Sequence, residues 1–108
     1  MPTRKQNAAL TLELDFGVNL ADLTDPVIVI RNRAQPVTEA VEGTGTLSQA
    51  DDGEDPPVPV GPILYEWDHL GDPGDPNEPG VYVVEIDAAE GTWPNDSHFF
   101  VRVVEHVG

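Results

Sequence analysis

The sequence predicts an all-β domain, a sandwich or barrel of short strands. Three observations predict it. Apolar and polar residues alternate with a period of two in several runs. Eleven prolines and ten glycines sit between those runs, which favours many short segments with turns over long helices. No stretch longer than a turn or two repeats its apolar residues at helical spacing.

The first run is residues 8–16, where Leu10, Leu12, Leu14 and Phe16 alternate with Thr11, Glu13 and Asp15, the period of a half-buried strand. A connection follows, from which Leu20 and Leu23 are expected to plug the core. Asp25-Pro26 breaks the chain, with residue 25 biased toward extended backbone. Residues 26–33 (PVIVIRNR) are β-branched and strand-like. Residues 36–42 read as a further strand or the near end of a loop, and 44–48 could pair with them across Glu42-Gly43.

Residues 49–62, QADDGEDPPVPVGP, hold four acids and four prolines. That composition suits neither helix nor central strand, so an exposed acidic loop is expected. Beyond it Ile63, Tyr65 and Trp67 share one face of a strand, opposite Leu64, Glu66 and Asp68. A second acidic Pro/Gly loop spans 71–80. Two more strands follow, in PGVYVVEIDA (79–88) and SHFFVRVVEHV (97–107), with Phe99, Val101 and Val103 on one face of the last. Gly91 to Asp96 is the expected reversal between them, with Trp93 a lid over the end of the core. Five clear strands and one or two weaker ones give about seven. Tyr65, Trp67, Tyr82, Trp93 and Phe99 are the expected aromatic core.

The totals bound the function. At 108 residues the chain makes one domain: an N-terminal arm, 1–7, and a single sandwich, 8–108. Its 39% hydrophobic content supports one economical core. Twenty acidic against five basic residues give a formal charge of −15, which argues against nucleic acid and against an anionic membrane surface as partners. A basic partner would be attracted from a distance, less so at high salt. Cysteine is absent, which removes disulfides, thiolate metal sites and thiol nucleophiles. The N-terminus has no uninterrupted apolar stretch of signal-peptide type, so a cytosolic place of synthesis and assembly is expected.

The residue pattern offers little chemistry, and no catalytic residue is expected. The histidines are His69, His98 and His106, and the serines Ser48 and Ser97. Ser97 and His98 are adjacent, so in a strand they point to opposite faces and cannot form a nucleophile–base pair. The carboxylates Asp51, Asp52, Glu54 and Asp55, and the donors Asp72, Asp75, Asn77 and Glu78, are hard oxygen ligands, but neither loop carries the helix-loop-helix calcium spacing. Solvated, mutually repelling carboxylates are the simpler reading, so no metal and no cofactor are expected. A sugar site would need several free aromatics, and most of these are expected in the core.

From residue 60 the order of features becomes more specific. A strand ends in Tyr65-x-Trp67, followed by Asp68. Pro79-Gly80-x-Tyr82 opens a strand carrying Glu85. A Gly-Thr-x-Pro-Asn-Asp turn, Gly91 to Asp96, leads into Phe99-x-Val101-x-Val103. Upstream, Asp22-Leu23-Thr24 precedes the strand Val27 to Arg33. The order resembles the small immunoglobulin-like β-sandwich proteins of tailed bacteriophages, similar to the N-terminal domain of upper baseplate proteins. It covers roughly residues 8–104 and departs from the pattern at 34–59, long and acidic where a short hairpin is usual, and at Ala88-Ala89-Glu90, where the last hairpin is shortened.

The resemblance implies an immunoglobulin-like antiparallel β-sandwich of about seven strands in a virion structural protein, assembled in the host cytoplasm. It carries no catalytic or cofactor residue across. With no coiled coil, shaft or receptor-binding domain in the 108 residues, a capsid decoration protein on the major capsid protein is the leading expectation. A neck, tail or baseplate adaptor is the alternative, and a homo-oligomer on the particle is possible. The contacts implied are loops and the N-terminal arm: Arg4, Lys5, Asp51, Asp52, Glu54, Asp55, Asp72 and Asp75. Readings from other classes are a carbohydrate-binding sandwich, a DNA-mimicking acidic protein and a calcium-stabilised adhesive module.

Overall fold

A computed structural model describes residues 1–68, 75–95 and 97–105. Among these lie nine strands, where about seven are expected, because short pairings outside the alternating runs add to the count: β1 Thr3–Lys5, β2 Leu10–Leu14, β3 Val27–Asn32, β4 Val41–Glu42, β5 Leu47–Ser48, β6 Ile63–Trp67, β7 Gly80–Ala88, β8 Gly91–Trp93 and β9 Phe99–Val104. The helical content is two single 3-10 turns, Leu20–Asp22 and Val37–Glu39.

The strands form two sheets. The larger runs β1-β9-β7-β3-β4, with β8 also on β7, and the smaller runs β2-β6-β5. The nine residues of β7 organise the larger sheet. One edge pairs with β3 along its length, while the other is shared: Gly80 to Val84 face β9 and Ile86 to Ala88 face β8. Cross-strand neighbours share a face, so the registers place Ile28, Ile30, Tyr82, Val84, Ile86, Val101 and Val103 together on the inner side. Leu12, Leu14, Ile63, Tyr65 and Trp67 oppose them from the smaller sheet. All twelve are buried in one cluster, and Leu10, Phe16, Val18, Leu20, Leu23, Leu47 and Phe99 pack around it. Two aromatic pairs bridge the layers edge to face: Trp67 with Tyr82 at 6.0 Å and Phe16 with Phe99 at 5.5 Å between ring centres.

The all-β sandwich is therefore the architecture, with several local corrections. Residues 1–7 are not a free arm: β1 lies parallel to β9, Arg4 opposite Val103, so the larger sheet is not purely antiparallel. Residues 36–42 form a 3-10 turn and a two-residue strand instead of one full strand. Residues 44–48 do not fold back on them; β5 joins β6 in the other sheet. The chain crosses between layers at 43–46, and glycine makes that crossing possible. A Cβ on Gly43 would strike the Tyr65 hydroxyl, and one on Gly45 the Glu66 carbonyl. Asp25 is not extended but left-handed, φ 49°, a region Asp tolerates better than most residues.

The 91–96 stretch also differs. Gly91–Trp93 is itself a strand, hairpinned onto β7 through Ala89-Glu90, and Asp96 lies outside the described residues. Trp93 pairs with Ile86 on the inner side and is half-buried at the sheet end, outside the fully buried cluster.

Candidate interaction surfaces

The expected contact residues separate into two groups. Arg4 and Asp75 are interior, 2% and 4% exposed, and cannot serve as partner contacts. Inward-facing positions of β1 point into the sandwich, and a charge there must be satisfied internally. The Arg4 guanidinium donates to the carbonyls of Ala8 (2.6 Å) and Pro76 (2.8 Å) and to Asn77 Oδ1 (2.9 Å). It also lies 5.4 Å from the Trp67 ring centre, within cation–π range. Its Nε is buried without a hydrogen-bond partner. Burial pulls the Arg4 pKa below its ordinary value, with the attraction of Asp75 opposing that.

Asp75 fixes the other side. Its Oδ1 accepts from the Thr44 amide (2.9 Å), and its Oδ2 accepts from the Tyr65 hydroxyl (2.5 Å) and the Asp68 amide (3.1 Å). The Tyr65 hydroxyl accepts in turn from the Gly45 amide (3.0 Å). Desolvation, and next the hydrogen bond to Asp75, push the Tyr65 pKa well above its ordinary value of 10.0. Trp67 Nε1 donates to the Pro76 carbonyl and the Tyr82 hydroxyl to that of Glu78. Residues 75–78 are thus clamped between β1 and the core aromatics. Asp72 lies outside the described residues.

Asn77 closes the clamp: its Oδ1 accepts from the Asn7 amide (3.0 Å) and its Nδ2 donates to Asn7 Oδ1 (2.9 Å). In the sequence Asn77 stands out only as a metal donor; nothing local in residues 1–7 announces this contact, because the two segments lie 70 positions apart.

The second group is exposed: Lys5, Asp51, Asp52, Glu54 and Asp55. The 49–62 segment is irregular, as its composition implies, but not shapeless. Its ends are tied by Asp51 bridging Pro59, Val60 N to Ala50 O (2.9 Å) and Asp52 N to Val58 O (3.0 Å). Asp51 accepts from Gly53 N, and Asp52 from Glu54 N and Val58 N, the Asx-type turns that Asp favours. The amides of Val58 and Glu54 hold the Asp52 carboxyl below its usual range. Gln49 fastens the base, accepting from Leu20 N and donating to Asn19 Oδ1 and Gly61 O. The result is an acidic arm that also bares Val58 (53% exposed) and Val60 (44%). A cavity of about 190 Å³ lies at its root, lined by Leu20, Ala21, Gln49, Ala50, Asp51, Pro57 and Pro59.

Elsewhere the Thr24 amide and hydroxyl grip Glu90, holding its carboxyl below the ordinary range. The Glu85 carboxyl is raised by burial and then by Asp87. Among the described residues no three His, Asp or Glu side chains gather in a metal-holding group. Of the core aromatics, Tyr65, Trp67 and Tyr82 are buried, while Trp93 and Phe99 are half-buried. Compared with protein-family models, curated proteins and solved structures, the chain matches none.

Proposed function

We propose that this chain is a non-catalytic structural part of a tailed-bacteriophage particle. On this reading it is a capsid decoration protein with an immunoglobulin-like sandwich, held on assembled head subunits through its acidic arm. A neck, tail or baseplate adaptor is the alternative location. The observation that carries the reading is the division of the molecule. A closed core and a polar clamp hydrogen-bonded largely within itself form a rigid block, while four carboxylates and two bare valines project on an arm that, among the described residues, is tied at its root. An arm of that kind suits a basic, partly apolar surface on a neighbour. Binding only the assembled state would stabilise it by mass action.

A carbohydrate-binding module is disfavoured by the aromatics. Base- or sugar-stacking platforms present an aromatic face to solvent, and all seven Phe, Tyr and Trp side chains are buried or half-buried.

The test is mass analysis and imaging of purified particles assembled with and without the chain. The chain is expected in the particle, and particles lacking it are expected to burst at lower temperature or internal pressure. Absence from particles, or equal survival of depleted and complete particles, refutes the reading.

A further inference from the structure

We propose that the outer face of the six-stranded sheet docks the acidic arm of a second copy of this chain. The few cations are unevenly placed. Arg4 is buried on the inner side. By strand register, Lys5 lies beside Val104, Arg102 beside Thr3 and Val81, and Arg31 beside Val83, all on the outer face. Arg33 follows the end of β3, exposed, with its amide on the Val81 carbonyl. Four of the five basic residues thus gather at one end of one sheet face, in a chain of net charge −15.

The ground between these cations is apolar: Val81, Phe100 and Val104, each half-buried, occupy outward positions of β7 and β9 there, around Val83, which they and their neighbours cover to 3% exposure. Acids stand at the other end of the same face: Glu85 and Asp87 on β7, with Glu42 beside Val29 on the β4 edge. Glu105 follows Val104 at the margin. Arg31, half-buried, donates to the Gln35 carbonyl and feels Glu85, so it marks the boundary; the end that attracts a negative strip is carried by the exposed Lys5, Arg33 and Arg102.

The arm has the matching chemistry. Asp51, Asp52, Glu54 and Asp55 are exposed there, and Val58 and Val60 are bare beside them. Acids with exposed valines on the arm complement cations around apolar ground on the sheet. Arm and face are different surfaces of one molecule, so the contact is heterologous and would propagate head to tail unless the rotation closes a ring. The net charge opposes long-range approach, whereas the contact acts locally. Salt screens both effects, so salt dependence does not discriminate. The inference is independent of the particle reading: a chain that self-associates but never joins a particle keeps this and loses that.

The experiment is sedimentation equilibrium on the full chain up to about 1 mM, with two charge-reversed variants. R33E/R102E alters the face, and D51K/D52K/E54K alters the arm; every substituted residue is exposed. Circular dichroism and melting confirm that each variant folds as the parent does. The parent is expected to gain mass with concentration, and each variant alone to associate more than about tenfold more weakly. The two variants mixed are expected to recover association, because the lysine-bearing arm then meets the glutamate-bearing face. A parent that stays monomeric throughout, association unmoved by either reversal, or a mixture no stronger than its parts each overturns the proposal.

Discussion

Removing the Tyr65 hydroxyl strands two partners at once. Asp75 loses its shortest hydrogen bond and the Gly45 amide its acceptor. Tyr65→Phe should lower stability by about 1–3 kcal/mol, read from denaturant midpoints at constant slope. The same hydroxyl sets an alkaline limit. Its folded pKa is raised above its ordinary 10.0, chiefly by desolvation, so the folded state keeps the proton where the unfolded chain has lost it. That contribution is fully present below pH 10 and is lost as pH climbs above it. Tyr82, raised likewise by burial, acts in the same direction. Denaturant unfolding between pH 8 and 11 should show stability falling above pH 10, less steeply in Tyr65→Phe. A flat profile in the parent would contradict the buried hydroxyl. Gly45 is equally sensitive, because an added Cβ lands on the Glu66 carbonyl. Gly45→Ala should cost about 2–4 kcal/mol and lower the melting temperature.

At the scale of elements, the N-terminal strand and the acidic arm should respond in opposite ways. Strand β1 caps the sheet beside β9 and brings Arg4 to Pro76, Asn77 and Trp67. Arg4→Ala removes the donors from several carbonyls at once and should cost about 3 kcal/mol, with a matching fall in melting temperature. Among the described residues the arm is fastened to the body at its base by Gln49, whose Nε2 reaches the Gly61 carbonyl at 3.0 Å. Replacing residues 50–60 by a two-residue Gly-Ser link should leave the melting temperature within a few degrees while abolishing attachment to particles. A large loss of stability on excision would mean that the arm belongs to the core.

These two elements also mark how far the sequence was legible. The alternations at 8–16, 63–67 and 99–104 are local, and each gave its strand and its buried face correctly. The acidic composition of 49–62 gave its exposure. Residues 1–7, read as an arm, pair instead with β9, which buries Arg4 and leaves Lys5 exposed; a three-residue strand has no period to read. Its pairing with β9 lies about a hundred residues away along the chain. Asp75 was misread for a related reason: acid in a Pro/Gly-rich stretch signals solvent, and only the approach of Tyr65 and residues 43–46 buries it. The crossing at 43–46 carries its glycines openly in the sequence, but a glycine does not say which backbone comes near.

For the whole molecule, charge is separated instead of evenly spread. The exposed cations sit at one end of the larger sheet, and the arm gathers four acids. Such a molecule stays soluble through net repulsion and still offers local complementarity to an ordered neighbour. What the sequence alone determined was the secondary-structure class, the inward faces of the longer strands and the exposed acidic segment, because each depends on residues within a few positions of one another. What only the tertiary structure decided was the parallel seating of the first strand, the buried Arg4 and Asp75 clamp, and the gathering of Lys5, Arg31, Arg33 and Arg102. Those depend on pairings between distant residues, whose register is set by how the two sheets close over their shared core.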